Sequence, residues 1–143
     1  MVKMIIKRRI KETDINNPEV VSQVFHAILQ AEHITDREKE HFWVMGLDGR
    51  HHVKYIELVS LGILTNALVH PREVFRLAIM EAIEAIIVCH NHPSDSIEPS
   101  ESDIMTTKRL TEAGKIIGIK LLDHIIIANE STENYSFQWH NIL

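Results

Sequence analysis

Ala85-Ile86-Ile87-Val88-Cys89-His90-Asn91-His92-Pro93 decides the fold, read together with Ser100-Glu101-Ser102-Asp103 a few residues on. Its first five residues are apolar and rich in β-branched side chains, the pattern of a buried strand. Side chains alternate faces along a strand, so His90 and His92 point one way while Cys89 and Asn91 point the other. At ~3.3 Å per residue the two histidines stand roughly 6–7 Å apart, close enough for both imidazoles to converge on one ion. Pro93 then turns the chain out of the strand. Ser100 and Asp103 stand three apart, the spacing of a capping box that opens a helix. That helix runs to about Ile117 and Gly118 ends it, with Ile104, Leu110, Ala113, Ile116 and Ile117 available for a buried face. Strand, polar loop and helix entry gather these polar groups around one cleft.

The same residues admit two readings. A His-x-His pair at a strand end can be a polar rim, and Asp103 can serve its helix cap alone. Alternatively, His90, His92 and Asp103 form a three-ligand metal site with a fourth position open to water, which distinguishes catalytic from structural zinc. Cys89, turned away from the histidines, reads as a small buried hydrophobe.

Working outward, the chain reads as a mixed α/β layer. Val2 to Ile10 fits an edge strand, and Asn17-Pro18-Glu19 fits a helix start. Val20, Val21, Val24, Phe25, Ile28 and Leu29 recur at helical spacing behind it. Phe42 to Leu47 and His52 to Leu61 read as strands joined near Asp48-Gly49-Arg50, a hairpin signal. Pro71 opens a helix with Val74, Phe75, Ala78, Ile79 and Ala82 on its faces, and Leu121 to Ala128 is a further strand. His124, within that apolar strand, reads as a hydrogen-bonded core histidine or one behind the ligands, with Asp123 as its partner or an edge residue. His33, His51, His52 and His140 read as surface residues.

With 143 residues and 45% hydrophobic content, the chain can bury one sizeable core, and we read residues 1–143 as a single domain. Fifteen basic against twenty acidic residues give a formal net charge of −5. That balance lacks the basic footprint of a strong DNA binder. The basic cluster Lys3, Lys7, Arg8, Arg9 and Lys11 reads as a solvated strand edge. One cysteine cannot form an internal disulfide, which suits the reducing cytoplasm. No run of apolar residues is long enough for a membrane span.

The block from His90 to Asp103 resembles the JAMM (MPN+) metal-dependent peptidases, whose motif is His-x-His-Pro followed by Ser and Asp at this spacing, with a Glu well upstream. More narrowly, the chain is similar to the bacterial RadC family. Glu40-His41-Phe42-Trp43-Val44 with Leu47-Asp48 carries the likeness, as does His70-Pro71-Arg72-Glu73-Val74-Phe75. So do His90 to Ser94 and Leu121-Leu122-Asp123-His124-Ile125-Ile126-Ile127, so that it covers roughly residues 15–140. The resemblance implies a mixed sheet flanked by helices, the JAB/MPN architecture related to that of cytidine deaminases. It implies a Zn2+ cofactor held by His90, His92 and Asp103. It further implies Glu40 as the group that takes a proton from the attacking water, although from its neighbours alone Glu40 is an exposed charge in Arg37-Glu38-Lys39-Glu40. Ser100 would donate to the oxyanion.

Two features depart from the family pattern. Asp95 stands where family members commonly carry Gly, so the loop from Ser94 to Glu98 is expected to differ in shape and acidity. The chain also starts almost directly at the metal-binding domain, as a short stand-alone member would.

Three function classes follow. The first is a zinc metallopeptidase or isopeptidase-like hydrolase acting on a peptide or protein amide. The second is a DNA-repair or mobile-element accessory protein, against which the acidic balance argues. The third is a metal-binding scaffold without turnover. A zinc nucleobase deaminase would need Pro-Cys-x-x-Cys, and the single cysteine excludes it. The sequence names neither the substrate nor an oligomeric state.

Overall fold

The computed structural model describes residues 15–62 and 69–143. The strand expected at residues 2–10 and the N-terminal basic cluster lie outside the described residues.

Helix α1 (Pro18–Gln30) starts as its sequence dictates: Asn17 Oδ1 accepts the Glu19 N–H at 3.0 Å and proline fills the first turn. A short helix α2 (Ile34–Arg37) leads into β1 (Glu40–Leu47), which pairs antiparallel with β2 (Val53–Gly62). Asp48 closes the turn between them, its Oδ1 accepting the N–H groups of Arg50 and His52 at 2.9 and 2.8 Å. The left-handed turn residue is His51 (φ 60°), not the Gly49 that flags the turn in the sequence.

Helix α3 (Pro71–Met80) is followed by β3 (Ala85–His92), α4 (Glu101–Ile117), β4 (Lys120–Ala128) and the three-residue β5 (Asn134–Ser136). The strands form one mixed sheet ordered β2-β1-β3-β4-β5, in which only β3 and β4 run parallel. α4 is the crossover between those two strands, as a parallel pair requires.

Both faces of the sheet are covered, which is why β3 reads as an unbroken apolar run. On one face Val21, Phe25, Ile28 and Leu29 of α1 pack on Trp43, Met45, Ile87, Cys89, Ile125 and Ile127. On the other, Val74, Phe75 and Ala78 of α3 and Leu110 of α4 pack on Phe42, Val44, Ile86, Val88 and Leu121. Cys89 falls in the first cluster, on the side away from the histidines. The fold is thus mixed α and β with helices on both sides of the sheet, as a JAB domain would have.

The buried face expected for α4 is corrected in part. Leu110 is buried, but Ile116 is 88% and Ile117 41% exposed. The inward stripe is instead Thr107, Leu110 and Gly114. Ile116 lies nine residues beyond Thr107, and at 3.6 residues per turn that is half a turn off, on the opposite side. The helix buries a threonine at the expense of an isoleucine.

Candidate metal centre

The sheet register brings the candidate site together. β3 pairs with β1 as far as Phe42 and His90, so Glu40, two residues before Phe42, shares the face that carries His90 and His92. The loop after β3 then delivers Ser100 and Asp103 at the start of α4. Glu40, Phe42, His90, His92, Ser100 and Asp103 line one cleft of about 510 Å³, together with Val69, Pro93, Ser94, Ser102, Thr106 and His124.

Within it, His90, His92 and Asp103 each turn a donor atom to a common point, all three lying within 4.8 Å of one another. His90 Nε2 and His92 Nε2 are 2.9 Å apart. Asp103 Oδ2 stands 3.1 Å from His92 Nε2, and Oδ1 stands 3.3 Å from His90 Nε2. The three residues could hold a metal ion. The chemistry of the donor set fits one, because two imidazole nitrogens and a carboxylate crowd together where a cation would relieve their mutual repulsion.

Each of the three candidate ligands is also held from behind. His92 Nδ1 lies 2.7 Å from the Ser96 carbonyl, so it donates there and leaves Nε2 for the cleft. His90 Nδ1 lies 2.7 Å from His124 Nε2. Asp103 does two jobs at once. The capping box is formed, with Ser100 Oγ accepting the Asp103 N–H at 3.0 Å and Asp103 Oδ2 accepting the Ser100 N–H at 2.9 Å. The same carboxylate still faces both histidines, since each oxygen has a second lone pair. Cap and ligand roles therefore do not compete.

The electrostatics follow the geometry. Burial opposes the charge on Asp103, but the His90 and His92 rings against its carboxylate and the Ser100 N–H outweigh it and hold the carboxyl well below the usual range. Burial likewise opposes protonation of His92, while Asp103, the Ser96 carbonyl and the Glu40 charge raise its pKa. His124, enclosed and without a carboxylate on its ring, is pushed well below the ordinary histidine value, chiefly by burial.

Asp95 shapes the loop through both its backbone and its side chain. It adopts φ 64°, the left-handed conformation glycine favours, and its Oδ1 accepts the N–H groups of Asn129 and Glu130 at 2.9 and 3.0 Å. Those bonds anchor the loop between His92 and Ser96 to the end of β4. Asp123 is neither a ring partner of His124 nor a free edge residue. Its carboxylate accepts from Ser136 Oγ at 2.6 Å and from the backbone N–H of His124 and Gln138, fastening β5.

Sequence reasoning missed Thr107, whose hydroxyl lies 2.6 Å from His124 Nδ1. A polar residue in mid-helix leaves no mark on apolar periodicity, and only the burial of His124 opposite would have singled it out. Phe42 could have been found, because it stands two residues from Glu40 on a strand. Val69 and Thr106 carry no such signal. Of the histidines read as surface residues, His33, His52 and His140 are exposed and His51 is half-buried.

Comparison with known proteins gives one consistent result. The family described as RadC-like JAB domain matches residues 15–142. A UPF0758 protein of Desulforudis audaxviator is 50% identical over 92 residues, covering 64% of this chain and 40% of its own length. One of Chlorobium chlorochromatii is 44% identical, covering 77% and 49%, and one of Finegoldia magna is 35% identical, covering 91% and 56%. The chain spans about half the length of the curated relatives it matches.

Proposed function

The chain belongs to the RadC-like JAB domain family, and from that premise we propose that it hydrolyses an amide bond of a peptide or protein with a zinc-activated water. One observation carries this reading: three donor atoms converge in the cleft that Glu40 and Ser100 also line. Zinc is favoured because two imidazole nitrogens and one carboxylate are a donor set that suits this borderline-soft ion. Three protein ligands leave the fourth position for water, which favours a catalytic over a purely structural role.

When bound, zinc supplies Lewis acidity, lowering the pKa of water towards about 7 and polarising a carbonyl. His90, His92 and Asp103 hold it, and the Ser96 carbonyl fixes His92 with Nε2 towards the cleft. Glu40 takes the proton of the attacking water on its carboxylate and passes it to the leaving amine. Ser100 uses an oxygen lone pair for the helix cap, so its hydroxyl proton remains to donate to the oxyanion that develops on the substrate carbonyl. Phe42 and Val69 give the cleft apolar walls, suited to a side chain next to the scissile bond. No protein nucleophile is needed.

The net charge of −5 and the acidic groups of the cleft argue against direct DNA contact, so any duplex binding is weak and unselective. The single buried cysteine supports a reducing, cytoplasmic setting. Among the described residues no helix is long and apolar enough to cross a membrane.

The test is a peptide-library cleavage screen with zinc-loaded protein, run beside Glu40→Gln. Cleavage that needs both zinc and Glu40 supports the reading. Sequence-selective duplex binding in a gel-shift titration, with no cleavage, would favour the repair-accessory role instead.

A further inference from the structure

His124 and Thr107 are buried polar side chains that the hydrolytic steps above do not use, and they stand in line behind His90. Thr107 Oγ1 donates its one proton to the carbonyl oxygen of Asp103, 2.8 Å away. The same oxygen lies 2.6 Å from His124 Nδ1. If that proton stays on the carbonyl, the hydroxyl meets the nitrogen as an acceptor and Nδ1 of His124 carries the hydrogen. His124 is 1% exposed, stacked on Phe137 at 4.6 Å between ring centroids and set edge-on to Phe42 at 5.9 Å. With its hydrogen on Nδ1, the ring turns a bare Nε2 to His90. That nitrogen is 2.7 Å from His90 Nδ1, which must donate. What remains to His90 is an Nε2 lone pair, the atom aimed at His92 and Asp103.

We propose that Thr107 and His124 form a one-way hydrogen-bond chain that locks His90 into its Nδ1–H tautomer and so turns its Nε2 lone pair to the metal position. Both are positioning residues, and neither touches the cation or the substrate. The chain begins on the backbone of one ligand, Asp103, and ends on the ring of another, His90, so the helix and the strand are set against each other by the same bonds. Metal-bound histidines ordinarily donate their second N–H to an acceptor of fixed sense, a carbonyl or carboxylate. Here the acceptor is another imidazole, which can face either way, and Thr107 removes that ambiguity. This accounts for a buried threonine on the α4 stripe.

The inference rests on the metal reading of the site, and two measurements separate their failures. In the metal-free full chain, nitrogen-15 NMR of the imidazoles should find His124 protonated on Nδ1 and bare on Nε2. The opposite tautomer overturns the proposal, and this needs no variant. In a zinc competition titration, Thr107→Val should bind zinc about 10–100-fold more weakly than wild type, the usual effect of losing such an outer partner. Thr107→Ser, which keeps the hydroxyl, should restore the affinity. Equal affinity in Thr107→Val and wild type, or equal loss in both variants, would show that the hydroxyl does not set the site. A wild-type chain that takes up no zinc at all would sink the metal reading, while the spectrum still decides the tautomer.

Discussion

At the ends of β3 and β4 the two faces of the sheet are finished in opposite ways. On the cleft side, His90, His92 and Asp103 turn donor atoms towards one another and towards a common centre. On the α1 side, Asn91 and Asn129 close on their neighbours. Asn91 Oδ1 accepts the His41 N–H at 2.6 Å, and its Nδ2 donates to the Lys39 carbonyl at 3.0 Å and to Asn129 Oδ1 at 2.8 Å. Asn129 Nδ2 in turn donates to the Arg37 carbonyl at 2.8 Å. The amide of Asn91 therefore grips the backbone on either side of Glu40. Consecutive residues of one strand divide the work: His90 and His92 present donor atoms on one face, while Asn91 fixes the backbone around Glu40 from the other.

If the division is real, the two faces should break differently. The largest effect belongs to the cleft: His90→Ala should abolish zinc uptake and turnover together, measured by elemental analysis and by cleavage of whatever amide the library screen yields. Glu40→Gln should keep zinc at the wild-type level and lower turnover by about 10²–10⁴, the usual worth of a positioned acid–base group. Loss of zinc in that variant would make Glu40 a ligand and close the position needed for water.

Asn91→Ala tests the other face. It strands the His41 N–H and the Asn129 amide oxygen, while the Lys39 carbonyl keeps the His41 ring at 2.8 Å, and each buried group without a partner costs about 1–3 kcal/mol. Urea denaturation should show that loss while the zinc content of the folded protein stays unchanged. A variant that folds normally but binds no zinc would mean that the faces are not separable.

The smallest effect is a control remote from both faces. Backbone N–H groups, that of His52 first, hold the Asp48 carboxyl down to about 2 from an ordinary 3.8. A depressed folded-state pKa contributes stability above pH 3.8 that disappears as the pH falls through about 2. Asp48→Asn keeps the accepting oxygen but not the charge. Its melting midpoint should fall slightly below wild type at pH 5 and converge with it near pH 2, with or without zinc.

Much of this was legible in the sequence, for identifiable reasons. β3 and the capping box at Ser100 and Asp103 stand out because period, proline and cap residues all agree there. Asn17-Pro18 and His70-Pro71 mark helix starts for the same reason. What failed lay where a tertiary bond overrides local pattern. Apolar periodicity put Ile116 inward, whereas Thr107 takes the buried place, 2.6 Å from the His124 ring. The hairpin at Asp48-Gly49-Arg50 forms as expected, though Asp48 bonds the backbone and His51 takes the left-handed position. β5 is three residues long and is held by Asp123, a pairing no local window contains. Asp95 takes a left-handed turn and accepts from Asn129 and Glu130 beyond β4, bonds that no local window contains.

The most direct test of the metal centre is zinc titration of the metal-free wild-type chain against a competing chelator, with thermal melts taken at each point, beside His92→Ala. Wild type should take up about one zinc per chain and melt at a higher temperature once loaded, because a ligand that binds only the folded state stabilises it. His92→Ala should fold, yet lose most of the zinc and the rise in melting temperature. A wild-type chain that binds none, or a His92→Ala variant that retains a full equivalent, would contradict the account.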